Sequence, residues 1–340
     1  MRHVTIKDIA RIANVSTSTV SRALSGSSEL SEATRTRILD ICRQEGYRVN
    51  ALARSLICNK TNVLGVIVPE VTNPFHAEIS LGIESHARTL GYNVMLCNSR
   101  QDPGTTADLF GFFTSHQVDG IILVSSHSDA VHWIHRFAGN TPTVLLGTPG
   151  TLGEEEVNSV SVDNLAGGRI AAEYLLSLGH EKILYIGHRP GSLTHQLRLR
   201  GFVEKLKDAG LSPEIVESDA DSSSIDMGYE LSRRVFQDGC PYSAVFAATD
   251  SIALGVLKAA DEQGISIPEE LSLLGFDNIM YSALPKISLS TIDQRKPLLA
   301  KSAVDILVKV IESEEQDTFT HLMIRPRLVQ RSSCLPLTSR

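Results

Sequence analysis

The first 46 residues show the spacing of apolar side chains that is typical of short amphipathic helices. The pattern is clearest in the set Ile6, Ile9, Ala10 and Ala13, which follows the i, i+3, i+4, i+7 rule. Three such segments are each preceded by a residue that caps helices, namely Thr5, Ser16 and Ser31. Asn14 tolerates a left-handed turn between the first two segments. The pattern predicts a small all-α head that begins with a helix-turn-helix.

From Val63 onward, short continuous apolar runs alternate with longer amphipathic segments. The runs lie at 63–68, 93–97, 120–124, 143–146, 182–186, 215–216, 244–247 and 271–276. Helical spacing is found at 75–90, 165–178, 196–209, 225–237, 252–263 and 297–312. Strands that are apolar along their whole length and separated by helices predict parallel sheets covered on both faces. We therefore expect an α/β body of two doubly wound subdomains, with a ligand site at the carboxyl ends of the strands, in the cleft between them.

These patterns divide the chain into three parts. We expect a helix-turn-helix domain at 1–48, a connector with a short hinge helix at 49–60 and a body at 61–340. Within the body, we expect a first subdomain at about 61–161 plus 293–320, and a second at about 162–292 plus 321–340. A hinge helix as short as the one predicted is unstable alone in water, so it should order only when it packs against something.

Charge is distributed unevenly between these parts. The whole chain carries −7, but residues 1–60 hold ten lysines and arginines against five acidic residues, a net charge of +5 that leaves −12 for 61–340. A basic head on an acidic body favours phosphate contact at one end of the chain.

Composition excludes several other classes of protein. The five cysteines are widely spaced and form no pattern for a metal site, so we expect neither metal nor cofactor. The N-terminus lacks an apolar signal core and no run of about 18 apolar residues occurs, which argues for the cytoplasm and against a membrane or a secreted transport protein. No Gly-x-Gly-x-x-Gly after a strand, phosphate-binding loop or Gly-x-Ser-x-Gly motif is present, so we do not expect an enzyme.

An ordered set of motifs runs over roughly residues 3 to 331, from the head through the connector Asn50-Ala-Leu-Ala-Arg-Ser-Leu56 into the body. The body motifs include Val66-Ile-Val-Pro69, Thr72-Asn-Pro-Phe75, Asp119-Gly-Ile-Ile122, Val162-Asp-Asn164, Arg198-Leu-Arg-Gly-Phe202, Thr249-Asp250, Leu271-Ser-Leu-Leu-Gly-Phe-Asp277 and Ser290-Thr-Ile-Asp-Gln294. Together with the head, this set resembles the LacI/GalR family of bacterial transcription regulators. The resemblance implies a periplasmic-binding-protein-like body and a repressor of a carbohydrate-utilisation operon, whose affinity for operator DNA is switched by a small molecule.

The head supplies the candidate DNA contacts. In a helix-turn-helix, the N-terminal residues of the second helix read base edges, and here these are Thr17, Ser18, Ser21 and Arg22. Arg22 is the candidate for bidentate recognition of guanine. Contacts with phosphate fall to Thr5, Ser16, Thr19 and Asn50. The hydroxyl groups have an alternative role as ordinary helix caps, and Arg22 as a solvated surface residue.

In the connector, the resemblance implies that Ala53, Arg54 and Leu56 contact DNA. Two hinge helices, one from each subunit of a homodimer on a pseudo-palindromic operator, would pack in the minor groove. Leu56 would then wedge between central base steps and kink the duplex, and Ala53 would allow close approach. Without DNA, Leu56 has the alternative of packing on the body. The C-terminal segment 328–340 has no leucine heptads, so a dimer is expected rather than a tetramer.

The resemblance also implies effector contacts from both halves of the body. The candidate residues are Asn73, Phe75, Thr194, Arg198, Asp250, Asp277 and Gln294. Arginine and carboxylates facing a cleft suit sugar hydroxyls, because charge-assisted hydrogen bonds are strong and directional. As alternatives, Asp250 and Asp277 could cap helices and Arg198 could lie on a helix surface.

One stretch departs from the family pattern. Where a second-half aromatic residue often stacks on the ligand, this chain has Ser218-Asp-Ala-Asp-Ser-Ser-Ser-Ile225, with no aromatic residue. A smaller or more polar effector, a phosphosugar or a protein co-regulator therefore stays open. An anionic ligand would suit His76, His188, Arg189 and His195, unless these are exposed loop residues. Neither the effector's identity nor the sign of its effect can be derived from the sequence.

Overall fold

A computed structural model describes residues 4–25, 29–47, 60–148, 156–188, 192–218, 224–313 and 318–337. The chain forms two compact units, Met1–Thr61 and Asn62–Arg340, which we describe separately as the head and the body. No helix among the described residues is long and apolar enough to cross a membrane.

The head contains helices α1 (Ile6–Ala13), α2 (Thr17–Ser25) and α3 (Glu32–Gln44). Thr5 caps α1 and forms a capping box with Asp8, as the backbone amide of each bonds to the side chain of the other. Asn14 takes the expected left-handed conformation, with φ of 52°. Ile9, Val20 and Ile38 are fully buried, one from each helix, so three short helices that would be unstable alone share one core.

The body contains twelve strands over its described residues: β1 Val63–Val68, β2 Asn93–Asn98, β3 Gly120–Val124, β4 Thr143–Leu146, β5 Asn158–Val162, β6 Ile183–His188, β7 Glu214–Ser218, β8 Ala244–Ala247, β9 Ser272–Asp277, β10 Ser290–Asp293, β11 His321–Ile324 and β12 Arg327–Val329. The helices are α4 Pro74–Thr89, α5 Pro103–Ser115, α6 Ala130–Phe137, α7 Asn164–Ser177, α8 Leu193–Asp208, α9 Ile225–Phe236, α10 Asp250–Glu262 and α11 Lys296–Glu312, with a 3-10 turn at Met280–Ala283.

The strands form two six-stranded sheets. The first has the order β11-β5-β4-β3-β1-β2 and is parallel throughout. The second has the order β12-β10-β9-β8-β6-β7, and only β12 runs antiparallel. Helices cover both faces of each sheet, which confirms the expected pair of doubly wound subdomains.

The expected boundary near residue 320 is wrong. Strand β11 pairs with β5 in the first sheet, so residues 321–324 belong to the first subdomain, and the chain crosses to the second only at 325–326. Sequence patterning also missed β5, since three of the five residues in Asn158-Ser-Val-Ser-Val162 are polar although all five are buried. Its polar groups are satisfied by the neighbouring edge, where Ser159 Oγ lies 3.0 Å from His321 Nδ1 and Asn158 Oδ1 accepts from the Thr320 amide.

Glycines let α7 and α8 pack in close backbone contact beside the second sheet. A Cβ placed on Gly201 would lie 2.0 Å from the carbonyl oxygen of Leu165, and one on Gly168 would lie 2.0 Å from that of Arg198. Since backbone atoms occupy both positions, a side chain at either one must force the helices apart. This packing fixes the distance of α8 from the sheet, and α8 carries Arg198.

We therefore expect Gly201→Ala to destabilise the body by about 2 kcal/mol, through overpacking. The matched control is Gly111→Ala on α5, where nothing lies within 4 Å of the added methyl group and alanine should stabilise the helix by up to about 1 kcal/mol. Urea unfolding of the two variants, followed by circular dichroism, measures both effects. Equal stability of the two variants would contradict the close packing.

Candidate functional site

A cavity of about 850 Å³, counting its open mouth, lies between the two subdomains. It is bounded by the carboxyl ends of strands from both sheets, as the fold predicts. The first subdomain contributes residues that follow β3, β4 and β1, among them Ser125, Thr148 and Phe75. The second contributes the end of β9 and the first turns of α8. We call this space the main cavity.

Six of the seven expected effector residues line the main cavity, namely Asn73, Phe75, Thr194, Arg198, Asp277 and Gln294. Asn73 is the N-cap of α4, and its side chain accepts a hydrogen bond of 3.0 Å from the Phe75 amide. That bond fixes the first turn of the helix and so holds the Phe75 ring at the wall of the cavity.

Arg198 is 2% exposed, so the alternative of a surface helix residue is wrong. Its Nε donates to Asn164 Oδ1 at 2.9 Å and its Nη1 to the carbonyl of Ala248 at 2.8 Å. Nη1 also lies 3.5 Å from Asp277 Oδ1, and the guanidinium stands 3.7 Å from the centre of the Phe276 ring. Burial lowers the pKa of Arg198, while the nearby carboxylates oppose that shift. These contacts hold the guanidinium in one orientation at the floor of the cavity.

Asp277 joins this cluster from the end of β9. Its Oδ1 accepts from Gln294 Nε2 at 2.5 Å, and its carbonyl accepts from Lys296 Nζ at 2.7 Å. The backbone is left-handed at Asp277 and Asn278, with φ of 120° and 53°, which is costly for residues with side chains. The surrounding hydrogen bonds stabilise that turn and aim the carboxylate at the cavity.

Asp250 does not line the cavity, which corrects the expectation that it contacts the effector. It is fully buried, and its carboxylate accepts from Thr291 Oγ1 at 2.6 Å, Ser282 Oγ at 2.6 Å and the Ile279 amide at 2.9 Å. The alternative of a helix cap is also wrong, because Thr249 caps α10. Asp250 instead shapes the cavity indirectly, by tying the start of α10 to the turn after β9 and to β10.

Two buried carboxyl groups lie close together in this region. Burial raises the pKa of Asp250, and the charge of Asp277 raises it further. Burial also raises the pKa of Asp277, although Arg198 partly offsets the effect. The positive charges of Arg198 and Lys296 therefore serve first to compensate these carboxylates.

His76, a candidate contact for an anionic ligand, lines the cavity from the first turn of α4. Its Nδ1 donates to the carbonyl of Glu70 at 3.1 Å, since a carbonyl can only accept. Burial lowers the pKa of His76 to about 4. The ring is therefore neutral near pH 7 and offers Nε2 as an acceptor, which suits a hydroxyl group better than an anion.

Sequence reasoning missed several polar residues that line the same cavity, including Ser125, Thr148, Ser161, Asn164 and Thr249. Asn164 is the most consequential, because it holds Arg198 and also donates to Thr148 Oγ1 at 3.3 Å. Asn164 follows directly after the crossover from the first sheet, and this position in the sequence could have indicated that it lines the cavity. His195 is buried at the cavity wall, not exposed on a loop.

Direct contacts join the two subdomains around the cavity. At the mouth, the Leu193 amide donates to the carbonyl of Ser126 at 3.0 Å, beside a backbone bridge between His127 and Ser192. On another side, Glu78 of α4 accepts from the Met280 amide at 2.8 Å. The body is therefore seen with its cleft closed.

In the head, the expected DNA-contact residues of α2 occupy one accessible surface. Thr17 and Ser18 are exposed, and Ser21 is half-buried. Ser16 caps α2 by accepting from the Thr19 amide at 3.1 Å, and its hydroxyl also contacts Ser18 and Thr19. Arg22 is about half exposed and lies 3.4 Å from Glu29. The expected hinge residues Asn50, Ala53, Arg54 and Leu56 lie outside the described residues, as does Arg189.

Comparison with known proteins identifies the family. Residues 5–50 match the model for bacterial regulatory proteins of the lacI family, and residues 172–334 match a periplasmic binding protein-like domain. Catabolite control protein A of Priestia megaterium is 32% identical over 320 residues, which cover 93% of this chain and 95% of that protein. The chain belongs to the lacI family.

Solved structures of lacI-family proteins agree with this assignment. The lac repressor dimer bound to operator and the anti-inducer ONPF matches with a TM-score of 0.86 and 26% identity, over 98% of this chain and all of that one. A lacI-family regulator from Enterococcus faecium with bound ribose matches with a TM-score of 0.71 and 27% identity, over 81% of this chain and 99% of that one. The curated relative and these neighbours are regulators, and no group of three or more potential metal ligands clusters in the described part of this chain.

The pKa of His76 predicts a pH effect with a definite sign. Histidine in an unfolded chain titrates near pH 6.5, so between that value and about 4 the unfolded chain binds one proton more than the folded body. The free energy of unfolding should therefore fall as the pH falls through this window. Because the ring edge faces an open cavity, we expect His76→Gln to remove about 1 to 2 kcal/mol of this dependence.

Urea unfolding at pH 7 and pH 4.5 measures the effect as a difference between wild type and variant, in which the titration of the buried carboxyl groups largely cancels. His116→Gln, at an exposed position at the end of α5, is the control. An unchanged pH dependence in His76→Gln would show that the His76 ring titrates normally.

Proposed function

We propose that the protein is a dimeric transcriptional repressor that controls genes for carbohydrate use and whose operator affinity is switched by a neutral sugar in the main cavity. The observation that carries the proposal is the combination, in one chain, of a helix-turn-helix head with a closed cleft lined by hydrogen-bonding groups. The function requires no catalysis and no cofactor, and it places the protein in the cytoplasm with its DNA.

The head supports DNA binding through the chemistry of α2. Thr17 and Ser18 are exposed, and the half-exposed Arg22 forms an ion pair with the exposed Glu29. An exposed ion pair of this kind contributes little to stability, so Arg22 can exchange Glu29 for the edge of a guanine at small cost. Thr17 and Ser18 are short enough to contact either base type, which makes Arg22 the main source of discrimination.

The main cavity supports a neutral polyhydroxylated effector. Arg198 and Lys296 already bond to carboxylates and backbone carbonyls, so their charges are compensated within the protein. His76 is neutral, and the remaining polar lining consists mainly of hydroxyl and amide groups. These groups both donate and accept, as sugar hydroxyls require, while Phe75 supplies an apolar face.

A dimer is supported by an apolar surface that spans both subdomains. Leu81 on α4 is 66% exposed, and Met280 and Tyr281 of the second subdomain are 63% and 40% exposed. The bond between Glu78 and the Met280 amide places these residues on adjoining surface. An isologous contact there would join two chains, and a pseudo-palindromic operator has one half-site for each head. Closing or opening the cleft would shift this surface, which gives the effector a route to the DNA.

Arg22→Ala should weaken binding to a pseudo-palindromic duplex selected from random DNA by about 5- to 150-fold for each half-site, and binding to a scrambled duplex much less. Fluorescence anisotropy at one fixed salt concentration measures both affinities. Arg43→Ala is the control, as this arginine lies on α3 and is similarly exposed and paired, with Asp40. An equal loss on both duplexes would reduce Arg22 to a phosphate contact.

A thermal-shift screen that pairs neutral sugars with their phosphate esters tests the effector class. We expect a neutral sugar at about 100 times its Kd to stabilise the body by about 2.7 kcal/mol and to change operator affinity, with its phosphate ester weaker. Phe75→Ala should reduce the shift. Phe112→Ala removes a ring of the same size that is 39% exposed on α5 outside the cavity, and it should not. Preference for the phosphate ester would overturn the neutral-sugar assignment.

A further inference from the structure

A second cavity, of about 880 Å³ when its open mouth is counted, adjoins the main cavity within the loops of the first subdomain. We call it the extension pocket. It has its own lining from Ser99, Pro103, Thr106, Leu123, His127, Trp133 and Ser192, and it shares a wall with the main cavity at Pro69, Gln101, Val124, Ser125 and Ser126. The same five residues line both spaces, so the two cavities adjoin each other directly.

Two stacked aromatic rings form part of the wall of the extension pocket. The centroids of His127 and Trp133 are 4.7 Å apart, with an angle of 31° between the planes. His127 Nδ1 accepts from the Asp129 amide at 3.1 Å, which fixes the orientation of the imidazole. Trp133 is 7% exposed and packs in the core of the first subdomain, so its ring is held by its surroundings. An aromatic wall of this kind suits the C–H face of a sugar ring.

The rest of the lining combines apolar residues with uncharged polar ones. Ser99 and Thr106 are almost fully buried, and their hydroxyls donate to the carbonyls of Val68 and Asp102, which leaves the oxygens as acceptors. Gln101 offers an amide at the boundary between the two cavities. His127 is the only titratable side chain among the described residues that line the pocket. The pocket therefore suits a neutral hydroxylated group rather than a phosphate.

The backbone at the boundary is held in an unusual conformation. Arg100 and Gln101 are both left-handed, with φ of 55° and 58°, although neither is glycine. Two consecutive residues of this kind cost free energy and persist where the surroundings impose them, often at ligand sites. Here the turn places Gln101 in the wall that both cavities share.

The backbone contacts at the mouth of the cleft, Leu193 to Ser126 and His127 to Ser192, join the extension pocket to the second subdomain. Ser192 lines the pocket, pairs with His127 through the backbone bridge and caps α8, which carries Thr194 and Arg198 into the main cavity. A ligand in the pocket would thus touch Ser192 and His127, whose backbone bridge helps to hold the cleft closed.

We propose that the effector is a disaccharide, with one ring among Phe75, Arg198 and Asp277 in the main cavity and the other against His127 and Trp133 in the extension pocket. This inference rests on the proposed function and specifies its ligand. A monosaccharide fills only the first position and leaves the aromatic wall without contact.

Trp133 is the only tryptophan of the chain, so its emission reports on the extension pocket directly. The full-length protein is titrated with cellobiose, maltose, lactose and sucrose, and with glucose, galactose and fructose, by calorimetry and tryptophan fluorescence. We expect one disaccharide to bind about 100-fold more tightly than either of its component sugars and to change the emission. The component sugars should leave the emission unchanged.

His127→Ala should weaken the disaccharide by about tenfold, since a ring contact is lost, and should leave the monosaccharide affinity unchanged. His132→Ala, at an exposed position on the same helix as Trp133, is the matched control and should bind the disaccharide normally. Because the bridge to Ser192 uses the backbone of His127, the variant keeps the mouth contacts.

Two results overturn the disaccharide. One is a monosaccharide that binds as tightly as every disaccharide and releases or recruits the operator by itself, in which case the proposed function stands and the extension pocket has no role. The other is a panel in which no disaccharide binds with a change of Trp133 emission. If no sugar or sugar phosphate affects operator binding, the carbohydrate effector of the proposed function fails as well.

Discussion

The burial of the Arg198 guanidinium is the constraint on which the body depends. A buried charge is tolerated only where acceptors surround it, and those acceptors come from different elements: Asn164 opens α7, Ala248 follows β8 and Asp277 ends β9. The guanidinium thus fixes the spacing of three segments at the carboxyl edge of the second sheet. Gly168 and Gly201 set the position of α8, so that the side chain can reach all three acceptors.

Buried carboxylates also hold the connections between the subdomains in place through hydrogen bonds. The described chain passes between the sheets near 163, 294 and 325. Asp293, at the second crossing, accepts from the Arg295 amide at 2.8 Å and from Arg327 Nε at 3.0 Å, so it ties the second crossing to the third. At the same edge, Lys296 donates to the carbonyls of Asp277 and Asn278. Polar groups therefore organise the crossings between the two subdomains, while the apolar cores lie within each subdomain.

The sequence predicted the parts of the fold that are governed by local pattern. The apolar runs at 63–68, 120–124, 143–146 and 244–247 are strands with those bounds, because a strand buried on both faces needs a continuous apolar run. Strand β5 escaped notice because it pairs with β11, about 160 residues away in the sequence, and the Ser159 hydroxyl bonds to His321 of that strand. Pattern within a segment carries no information about such a partner.

The same distinction applies to the site. Family motifs placed six of the seven expected residues around the main cavity. Asp250 is the exception, because its carboxylate is taken up by donors from Ile279, Ser282 and Thr291. These donors come together only once the turn after β9 has folded against β10, so the sequence alone does not reveal them. The extension pocket is likewise a product of tertiary structure, as it needs the loops after β2 and β3 and the start of α8 together.

Two cavity residues stand next to the crossings, and this explains how a small ligand can move large bodies. Asn164 follows the first crossing and Gln294 the second, and both bond to the Arg198–Asp277 cluster. A change in the angle between the subdomains rotates the chain at these two points, so it must also move their side chains relative to the cavity. A ligand that contacts the cluster therefore binds with different affinity to the two states of the body that differ in this angle. That difference is all that coupling to DNA binding by the head requires.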